Sequence, residues 1–571
     1  MIAVSGKALP GSAAEYSENI DSKIYPNAVV AADHPLASAA GIAILKAGGN
    51  VVDAAVATSF ALSVLRPASC GLGGGGFMVI WDAEQQKSTV IDYRERAPAA
   101  ATPDMYSRLS GSEKQRQLAS RQGPLAVAVP CNVAGLCYAV KEYGKLDLKT
   151  VMQPAIQMAR RGVPINDHMR SVQKSMLARM KKGVLDQKEF QPLIDEYLNH
   201  GEPWKENARF FSPQLQALEL IAENGRAGFY EGPVADAIVA TCGKQGGGIL
   251  THQDLKDTEP IIRKPLTTAF DGYQILTMPP PSSGGVAIIE SFNMINALEK
   301  QVLEHSFAEL KYHSAQELHF LTEVMKHAFA DRAEYLGDAD FVPVPLERLT
   351  DAKYASRLAA RIDTKQTKDL KDYGRYVSPK DGGTSHLSVM DAAGNAVACT
   401  ETINLTFGSY IVIPQYGIVM NNEMDDFAAI PGKPNAFGLL QSKANEIEPG
   451  KKPLSSMSPT IAVKEGKAVF SAGASGGPRI ISSTLQVLLN MIVFGMTPKQ
   501  AVESPRIHHQ WVPEDLLLEQ ELYEQVGDQL KQFGHAIRKS SSLAATQAVS
   551  RQSDGLRGHS DTRKHGAAAG Y

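Results

Sequence analysis

Apolar and polar residues alternate in two stretches of the chain that predict β-hairpins. The first, FMVIWDAEQQKSTVIDYR, runs from Phe77 to Arg94. In the second, HLSVM and AVACTETI alternate on either side of the turn residues AAGN, between His386 and Ile403. Alternation around a turn rich in small and polar residues is the pattern of paired antiparallel strands. One hairpin is therefore predicted in each half of the chain.

Helical spacing dominates between these hairpins and before the first of them, and it returns in one segment after the second. Residues 27–67 predict a strand followed by two close-packed helices, which AGGN separates. Residues from about 145 to 340 are mostly helical in pattern, and within them MPPPSSGG predicts a tight loop between a strand and a helix. The charge-poor stretch from Ile480 to Met496 is too short to span a bilayer and predicts a buried core helix.

Residues 365–380 form a polar segment that we expect to be an exposed linker, and a strand-rich region runs from Thr384 to Tyr571. A chain of 571 residues predicts two large units or one very large one. Its 43% hydrophobic and 21% charged content is typical of a soluble globular protein. The net charge of −3 gives no reason to expect a nucleic-acid partner.

Cysteine usage and the first residues bear on the compartment of the protein. The five cysteines are scattered without a CxxC pair, so we expect free thiols and no zinc site. The first twenty residues contain no apolar segment typical of a signal peptide. This indicates either a cytoplasmic protein or a chain whose leader is missing from this sequence.

Two patterns that resemble ligand sites have simpler explanations. GLGGGG, from Gly71 to Gly76, matches G-x-G-x-x-G, but a helical pattern precedes it and a strand follows, the reverse of a dinucleotide-binding unit. We expect a close backbone crossing there. His508 and His509 lack a nearby carboxylate, and the spacing of His313, His319 and His327 does not stack them on a helix, so structural histidines are favoured.

The local sequence pattern does not decide the role of three other segments. SAGASGGPR places Gly476 and Gly477 between a strand and the apolar helix, where backbone N–H groups suit an oxyanion but a simple turn also fits. LSSMSPT offers the hydroxyls of Ser455 and Ser456 before a strand. The acidic cluster NNEMDDF fits a solvated surface, a metal site or a site for a ligand ammonium group.

The junction between Gly383 and Thr384 suggests a specific chemistry. If the chain is cut there, Thr384 carries both a hydroxyl nucleophile and a free α-amine, whose unperturbed pKa of about 7.7–8.0 lets it act as the base. Thr384 can make the cut itself by attacking the preceding carbonyl. Gly382 and Gly383 permit that close approach because they have no side chains.

The sequence resembles the γ-glutamyltranspeptidase (γ-glutamyltransferase, glutathione hydrolase) family over nearly its whole length. The resemblance is carried by TSHLSVMDAAGNAVACTETINLTFGS, AGGNVVDAAVA, GLGGGGFM, IDYRERAP, MPPPSSGG, ADRAEYLGD, NNEMDDF, PLSSMSPT, GASGGPR, PRIHHQW and the terminal AGY. It implies an α/β N-terminal nucleophile hydrolase with a four-layer αββα sandwich. Two fragments from one precursor, residues 1–383 and 384–571, would form a heterodimer with one composite fold.

The resemblance also implies a role for each motif. Thr384 would be the nucleophile, Thr402 would orient it, and Gly476 and Gly477 would stabilise the oxyanion. The residues implied to hold the α-carboxylate of the donor are Arg94, Ser455 and Ser456, and those implied to hold its α-ammonium are Asn404, Glu423 and Asp426.

The implied reaction is attack on the γ-glutamyl amide of glutathione or a related compound. A γ-glutamyl ester would form on Thr384 and pass to water or to an amino acid or peptide. No metal and no organic cofactor are implied, and an exported, periplasmic or extracellular location is usual in the family. The sequence departs from the family pattern at Ser385, where a second threonine is common, at Cys131, where glycine is usual, and at Phe437, where bacterial relatives often carry a tyrosine in a lid.

Two other functions fit parts of the pattern. A cephalosporin (glutaryl) acylase on the same scaffold would keep Thr384 but would not need to recognise an α-ammonium group. A non-enzymatic binding protein would remain uncut. Arg94, Glu423 and Asp426 together favour the γ-glutamyl donor, and Thr384 and Thr402 favour an enzyme.

Overall fold

The computed structural model of the chain describes residues 23–183, 185–374, 384–430 and 443–571. Gly382, Gly383, Phe437 and the end of the predicted linker lie outside these residues. The strands are β1 (Ala28–Ala32), β2 (Gly75–Asp82), β3 (Lys87–Tyr93), β4 (Val163–Pro164), β5 (Arg209–Phe210), β6 (Ile261–Arg263), β7 (Leu266–Phe270), β8 (Tyr273–Thr277), β9 (Ser385–Asp391), β10 (Ala396–Thr402), β11 (Val412–Ile413), β12 (Ile418–Val419), β13 (Thr460–Lys464), β14 (Lys467–Ser475), β15 (Ile507–His508), β16 (Asp515–Glu519), β17 (Ala536–Ser540), β18 (Ala545–Gln552), β19 (Gly555–Ser560) and β20 (Ala567–Gly570).

Helices flank these strands, and the longest come in the segments where apolar residues recur at helical spacing. They are α1 (Pro35–Lys46), α2 (Val51–Leu65), α3 (Glu113–Ala119), α4 (Asn132–Tyr143), α5 (Leu148–Arg161), α6 (Asp167–Lys181), α7 (Gln191–Tyr197), α8 (Leu215–Asn224), α9 (Ala227–Tyr230), α10 (Gly232–Cys242), α11 (His252–Lys256), α12 (Gly284–Leu298), α13 (Ala315–Tyr335), α14 (Leu346–Leu349), α15 (Ala352–Ala359), α16 (Arg479–Ile492), α17 (Pro498–Glu503) and α18 (Gln520–Gln532).

Two large antiparallel sheets lie face to face at the centre of the described residues. The first sheet has the strand order β20-β1-β9-β10-β2-β3-β6, and the second has the order β19-β18-β14-β13-β8-β7. Strands β9 and β10 of the first sheet contact β14 of the second. The apolar layer between the sheets includes Phe77, Met390 and Ile461.

Helices cover the outer face of each sheet, which completes a four-layer arrangement. Helices α1, α2 and α4 pack on the first sheet, and α12 and α16 pack on the second. Two larger apolar clusters lie between the helices and the sheets. This arrangement explains the residue pattern of β9, because Leu387 and Val389 face the helices while Met390 faces the second sheet.

Most elements predicted from the sequence are present. Both hairpins form as β2–β3 and β9–β10, and MPPPSS joins β8 to α12, which begins at the two glycines of that motif. The predicted core helix near Ile480 is α16, which is buried along nearly its whole length. Within the described residues no helix is both long enough and apolar enough to cross a membrane.

The cysteines and histidines also follow expectation. All five cysteines are free. His508 bonds to Ser482 (2.7 Å) and Gln510 (3.0 Å), and His509 bonds to the backbone of Glu514 (3.1 Å). A cluster that the sequence spacing did not indicate joins His319 to His535 at 2.8 Å, beside Glu323. Glu323 is already engaged there by Lys326, Thr367 and Tyr373.

Candidate active site

Thr384 directly precedes β9 and lies beside the end of the neighbouring strand β10. The antiparallel pairing of the two strands sets Ser385 opposite Glu401, so Thr384 and Thr402 meet where β9 begins and β10 ends. Their hydroxyl oxygens are 3.3 Å apart, and the backbone N–H of Asn404 donates to the Thr402 hydroxyl at 2.8 Å. The Thr402 hydroxyl therefore lies within hydrogen-bonding reach of the Thr384 hydroxyl.

The glycine run brings two other segments close to Thr402. A Cβ atom on Gly74 would lie 2.1 Å from the backbone oxygen of Thr402, and one on Gly73 would lie 2.2 Å from that of Val419. Side chains are excluded at both positions, which confirms the predicted backbone crossing. Cys131 donates its backbone N–H to Gly74 at 3.0 Å and has a φ of −126°, so its backbone does not require the glycine usual in the family.

Thr384 lines a small pocket. Nearly all the residues predicted for the site line it, and Arg332 joins them. The lining includes Arg94, Arg332, Thr384, Thr402, Asn404, Glu423, Asp426, Ser455, Ser456 and Gly477. Gly476 lies next to this lining, in the turn between β14 and α16. Residues distant in sequence thus converge on one small pocket, and convergent polar groups in a concave site are a mark of ligand binding.

Arg94 is the electrostatic centre of the pocket. It follows β3, is fully buried, and lies 2.7 Å from Glu423 and 2.6 Å from Asp426, with Glu95 at 3.6 Å. Burial alone would lower the pKa of Arg94, but Glu423 and Asp426 raise it above its ordinary value, so the guanidinium stays charged. The acidic cluster is therefore not a solvated surface.

The charged forms of the acidic residues are stabilised less than the charged form of Arg94. Burial raises the pKa of Glu423 and of Asp426 above their ordinary values, although Arg94 opposes the shift. Burial also raises the pKa of Glu95 to about 8. Because burial disfavours the charged form of these acids, a cationic ligand group beside them would be favourable.

Asn404 adds a hydrogen-bond acceptor to the same wall of the pocket. Its amide nitrogen donates to the backbone oxygen of Asn422 at 3.0 Å, and its φ of 71° holds it in a turn after β10. The side-chain oxygen of Asn404 is buried and has no hydrogen-bond partner among the described residues. A buried acceptor without a donor is costly, so a ligand N–H group would stabilise it.

The opposite wall is formed by the serine segment before β13 and by the loop before α12. The backbone oxygen of Ser455 accepts hydrogen bonds from the backbone N–H (2.7 Å) and hydroxyl (2.6 Å) of Ser283. Arg332 of α13 donates to the Ser283 hydroxyl at 2.9 Å and to the Ser456 hydroxyl at 3.4 Å. The proline-glycine loop therefore holds the two serines in place.

Arg332 was missed by the sequence reasoning, although it belongs to the motif ADRAEYLGD. It is fully buried, and burial lowers its pKa to about 10, with Asp426 opposing that shift. The pocket thus contains two guanidinium groups, which would both attract a ligand carboxylate. The signal was present in the sequence, but a single arginine on a mostly apolar helix does not show which surface it faces.

Gly476 and Gly477 form the turn where β14 ends and α16 begins. Both have positive φ values, 140° and 59°, and the backbone N–H of Ile480 bonds to the oxygen of Gly477 at 3.0 Å. This turn lies at the N-terminal end of a 14-residue helix, where backbone N–H groups carry partial positive charge. The position suits stabilisation of an oxyanion.

Residues 37–571 match the profile of the gamma-glutamyltranspeptidase family. The chain belongs to the gamma-glutamyltranspeptidase family. It is 40% identical to the glutathione hydrolase proenzyme of Escherichia coli (strain K12) over 548 residues, which are 95% of this chain and 92% of that relative. The family predicted from the sequence motifs is therefore confirmed.

Two solved structures are similar to the fold. The crystal structure of cephalosporin acylase from Bacillus halodurans has a TM-score of 0.82 at 26% identity, and the match covers 100% of this chain and 99% of that one. The crystal structure of Helicobacter pylori gamma-glutamyltranspeptidase has a TM-score of 0.53 at 34% identity and covers 60% of this chain and 93% of that one. These similarities confirm the predicted sandwich of the N-terminal nucleophile hydrolases.

Proposed function

We propose that the chain is a self-processing γ-glutamyltransferase and glutathione hydrolase with Thr384 as its nucleophile. The observation that carries this proposal is that Thr384 lines the same pocket in which Arg94 pairs with Glu423 and Asp426. Cleavage before Thr384 would give a large fragment, residues 1–383, and a small fragment, residues 384–571, which together form the mature heterodimer.

The donor end of the pocket fits an α-amino acid. A γ-glutamyl group carries a carboxylate and an ammonium on one carbon atom, so its two binding groups must lie close together and have opposite charges. Arg94 would bind the carboxylate with the help of Ser455 and Ser456. Asp426, Glu423 and the side-chain oxygen of Asn404 would accept from the ammonium.

The reaction follows from this placement of the donor. The Thr384 hydroxyl attacks the γ-carbonyl carbon, and its proton passes to the α-amine of the same residue. The backbone N–H groups of Gly476 and Gly477 stabilise the oxyanion. The amide C–N bond then breaks, the leaving amine takes up the proton, and the γ-glutamyl ester remains until water or an amino acid or peptide acceptor attacks it.

The test is the maturation and activity of two variants at the nucleophile. Thr384→Ala should give an uncut, inactive chain, because no hydroxyl is present for either attack. Thr384→Ser keeps the hydroxyl, so it should still be cut and turn over more slowly. N-terminal sequencing of the small wild-type fragment should give TSHLS; another start, or an active Thr384→Ala protein, would refute the nucleophile assignment.

A glutaryl acylase is the second candidate, because the acylase structure from Bacillus halodurans covers the whole of this chain. A glutaryl group lacks the ammonium and would leave Glu423 and Asp426 without a cationic partner from the ligand. We therefore expect a higher kcat/KM for glutathione than for a glutaryl amide with the same leaving group. The opposite order, measured on fully processed protein, would favour the acylase.

A further inference from the structure

The ammonium group of Lys564 touches the backbone of the proposed nucleophile, Thr384, and Lys564 is not part of the pocket lining. Lys564 lies in the short turn between β19 and β20. Its Nζ donates to the backbone oxygen of Thr384 at 2.5 Å, to the hydroxyl of Ser475 at 3.0 Å and to Asp33 Oδ2 at 3.0 Å. These three acceptors match the three N–H donors of a lysine, so the group is held in one geometry.

The contact with Thr384 matters because this residue lies one position beyond the paired part of β9. Pairing with β10 begins at Ser385, and pairing with β1 begins at Leu387. After cleavage Thr384 would be a chain end, and chain ends tend to lose their order unless they are held. Lys564 holds the carbonyl group of this residue.

The contact with Ser475 connects the same ammonium to the other half of the site. Ser475 is the last residue of β14 and directly precedes Gly476 and Gly477. One side chain therefore links the residue that attacks to the turn that would receive the oxyanion. A shift of either by about 1 Å is enough to lower catalysis strongly.

Lys564 is itself fixed on both its side chain and its backbone. Asp33 is fully buried, and its second carboxylate oxygen accepts from Gln547 at 2.5 Å. The guanidinium of Arg66 donates to the backbone oxygens of Asp33 (2.6 Å) and Lys564 (2.5 Å). The turn cannot move away from Thr384 without breaking these contacts.

We propose that Lys564 is a positioning residue that aligns Thr384 with the Gly476–Gly477 turn and whose charge keeps the free amine of Thr384 in its basic, unprotonated form. The inference rests on the proposed role of Thr384. A positive charge beside an amine disfavours its protonation, so more of the amine is available as a base near neutral pH. The same alignment would serve the attack of Thr384 on the carbonyl of Gly383 during maturation.

Other charged groups near Thr384 also influence how the activity depends on pH. They lie on elements packed against the start of β9 and around the pocket: Asp33, Arg66, Arg94, Arg332, Glu401, Glu423 and Asp426. His168 also lies near Lys564, but burial lowers its pKa to about 2, so it is neutral. The effect of Lys564 must therefore be measured as a difference between variants.

Lys564→Met tests the proposal by removing the charge and keeping most of the length of the side chain. Maturation should be at least tenfold slower, and kcat should fall more than KM changes. The acid limb of the kcat/KM profile should move to higher pH by about one unit, because the amine is protonated more easily. Lys564→Arg should keep the acid limb of the wild-type protein.

Arg563→Met is the matched control, since Arg563 lies in the same turn and pairs with Glu519 (2.6 Å) and Asp561 (3.1 Å). It should lower the thermal midpoint but leave the acid limb in place. If Lys564→Met does not fold, Lys564→Gln decides, because its shorter side chain keeps two N–H donors and lacks the charge. A neutral variant with the wild-type maturation rate and acid limb would overturn the proposal, whereas an uncut wild-type chain would refute the role of Thr384 instead.

Discussion

At the scale of single residues, the groups proposed to bind the donor are paired with one another. Arg94, proposed to hold the donor carboxylate, forms ion pairs with Glu423 and Asp426, which are proposed to hold the donor ammonium. A ligand that carries both charges can replace these contacts without leaving a buried charge unpaired. Recognition of this kind depends on each acid separately, so single substitutions can change the class of donor.

Asp426→Asn should lower kcat/KM for glutathione by about tenfold or more, since a hydrogen bond to a charged group contributes about 1.5–3 kcal/mol. The amide keeps the size of the side chain and removes its charge. A glutaryl donor has no ammonium, so its relative rate should rise. The ratio of the two rates is measured on protein shown to be fully processed.

Asp425→Asn is a matched control for this substitution. Asp425 is the neighbouring residue and is buried, but it bonds to Ser120 (2.7 Å) and Arg121 (3.0 Å) and does not line the pocket. It should leave the ratio of the two rates unchanged. If Asp426→Asn also leaves that ratio unchanged, Asp426 does not contact the donor ammonium.

At the scale of secondary structure elements, local pattern predicted the parts of the site that belong to one segment. The alternation of HLSVM and AVACTETI predicted the two strands that bring Thr384 next to Thr402. The two glycines before α16 predicted the turn at Gly476. Each of these features depends on neighbours within a few residues, so periodicity and turn chemistry are enough to find them.

The parts that local pattern did not predict are contacts between distant segments. Arg332 reaches the pocket from α13, and Lys564 reaches Thr384 from a turn near the end of the chain. Neither residue stands out by its spacing. Only the family motifs indicated that Glu423 and Asp426 share a ligand site with Arg94, because solvated surface loops have the same composition as NNEMDDF.

A second element-scale feature is the buried acid next to Thr402. Glu401 lies in β10 with its carboxylate within 2.7 Å of the Ser59 hydroxyl and 3.1 Å of the Tyr93 hydroxyl. Burial raises its pKa from 4.5 to about 7, although these two hydroxyl groups oppose the shift. Between pH 4.5 and about 7, Glu401 therefore keeps its proton in the folded state but has lost it in the unfolded state.

The stability of the mature protein should therefore fall as pH rises from about 5 to 8. The contribution of Glu401 to the free energy of unfolding is greatest below pH 4.5 and is reduced by up to about 3 kcal/mol above pH 7. Glu401→Gln cannot lose a proton, so its thermal midpoint should fall less over this range. Glu84→Gln, at an exposed acid, should behave like the wild-type protein; an unchanged slope in Glu401→Gln would show that Glu401 does not cause the decline.

At the scale of the whole molecule, the proposed cut lies between parts of one continuous sheet. In the first sheet, β9 and β10 come after the cut, while their neighbours β1 and β2 come before it. The ladder between β10 and β2 runs from Ala396 opposite Trp81 to Thr402 opposite Gly75. In the second sheet, β13 pairs with β8 across the same division. Neither fragment can complete its sheets alone.

The two fragments should therefore stay together after maturation. A denaturing gel should show two bands in place of the 61.5 kDa chain, whereas size-exclusion chromatography without denaturant should give one peak that contains both fragments. Uncut Thr384→Ala should elute at the same volume, because the cut removes no contact between the sheets. Separation requires breaking the β1–β9, β10–β2 and β13–β8 ladders, so it should occur only in denaturant, together with loss of the far-ultraviolet signal of the folded protein. A small fragment that dissociates on dilution in native buffer would mean that the sheets are held by weaker contacts than these ladders provide.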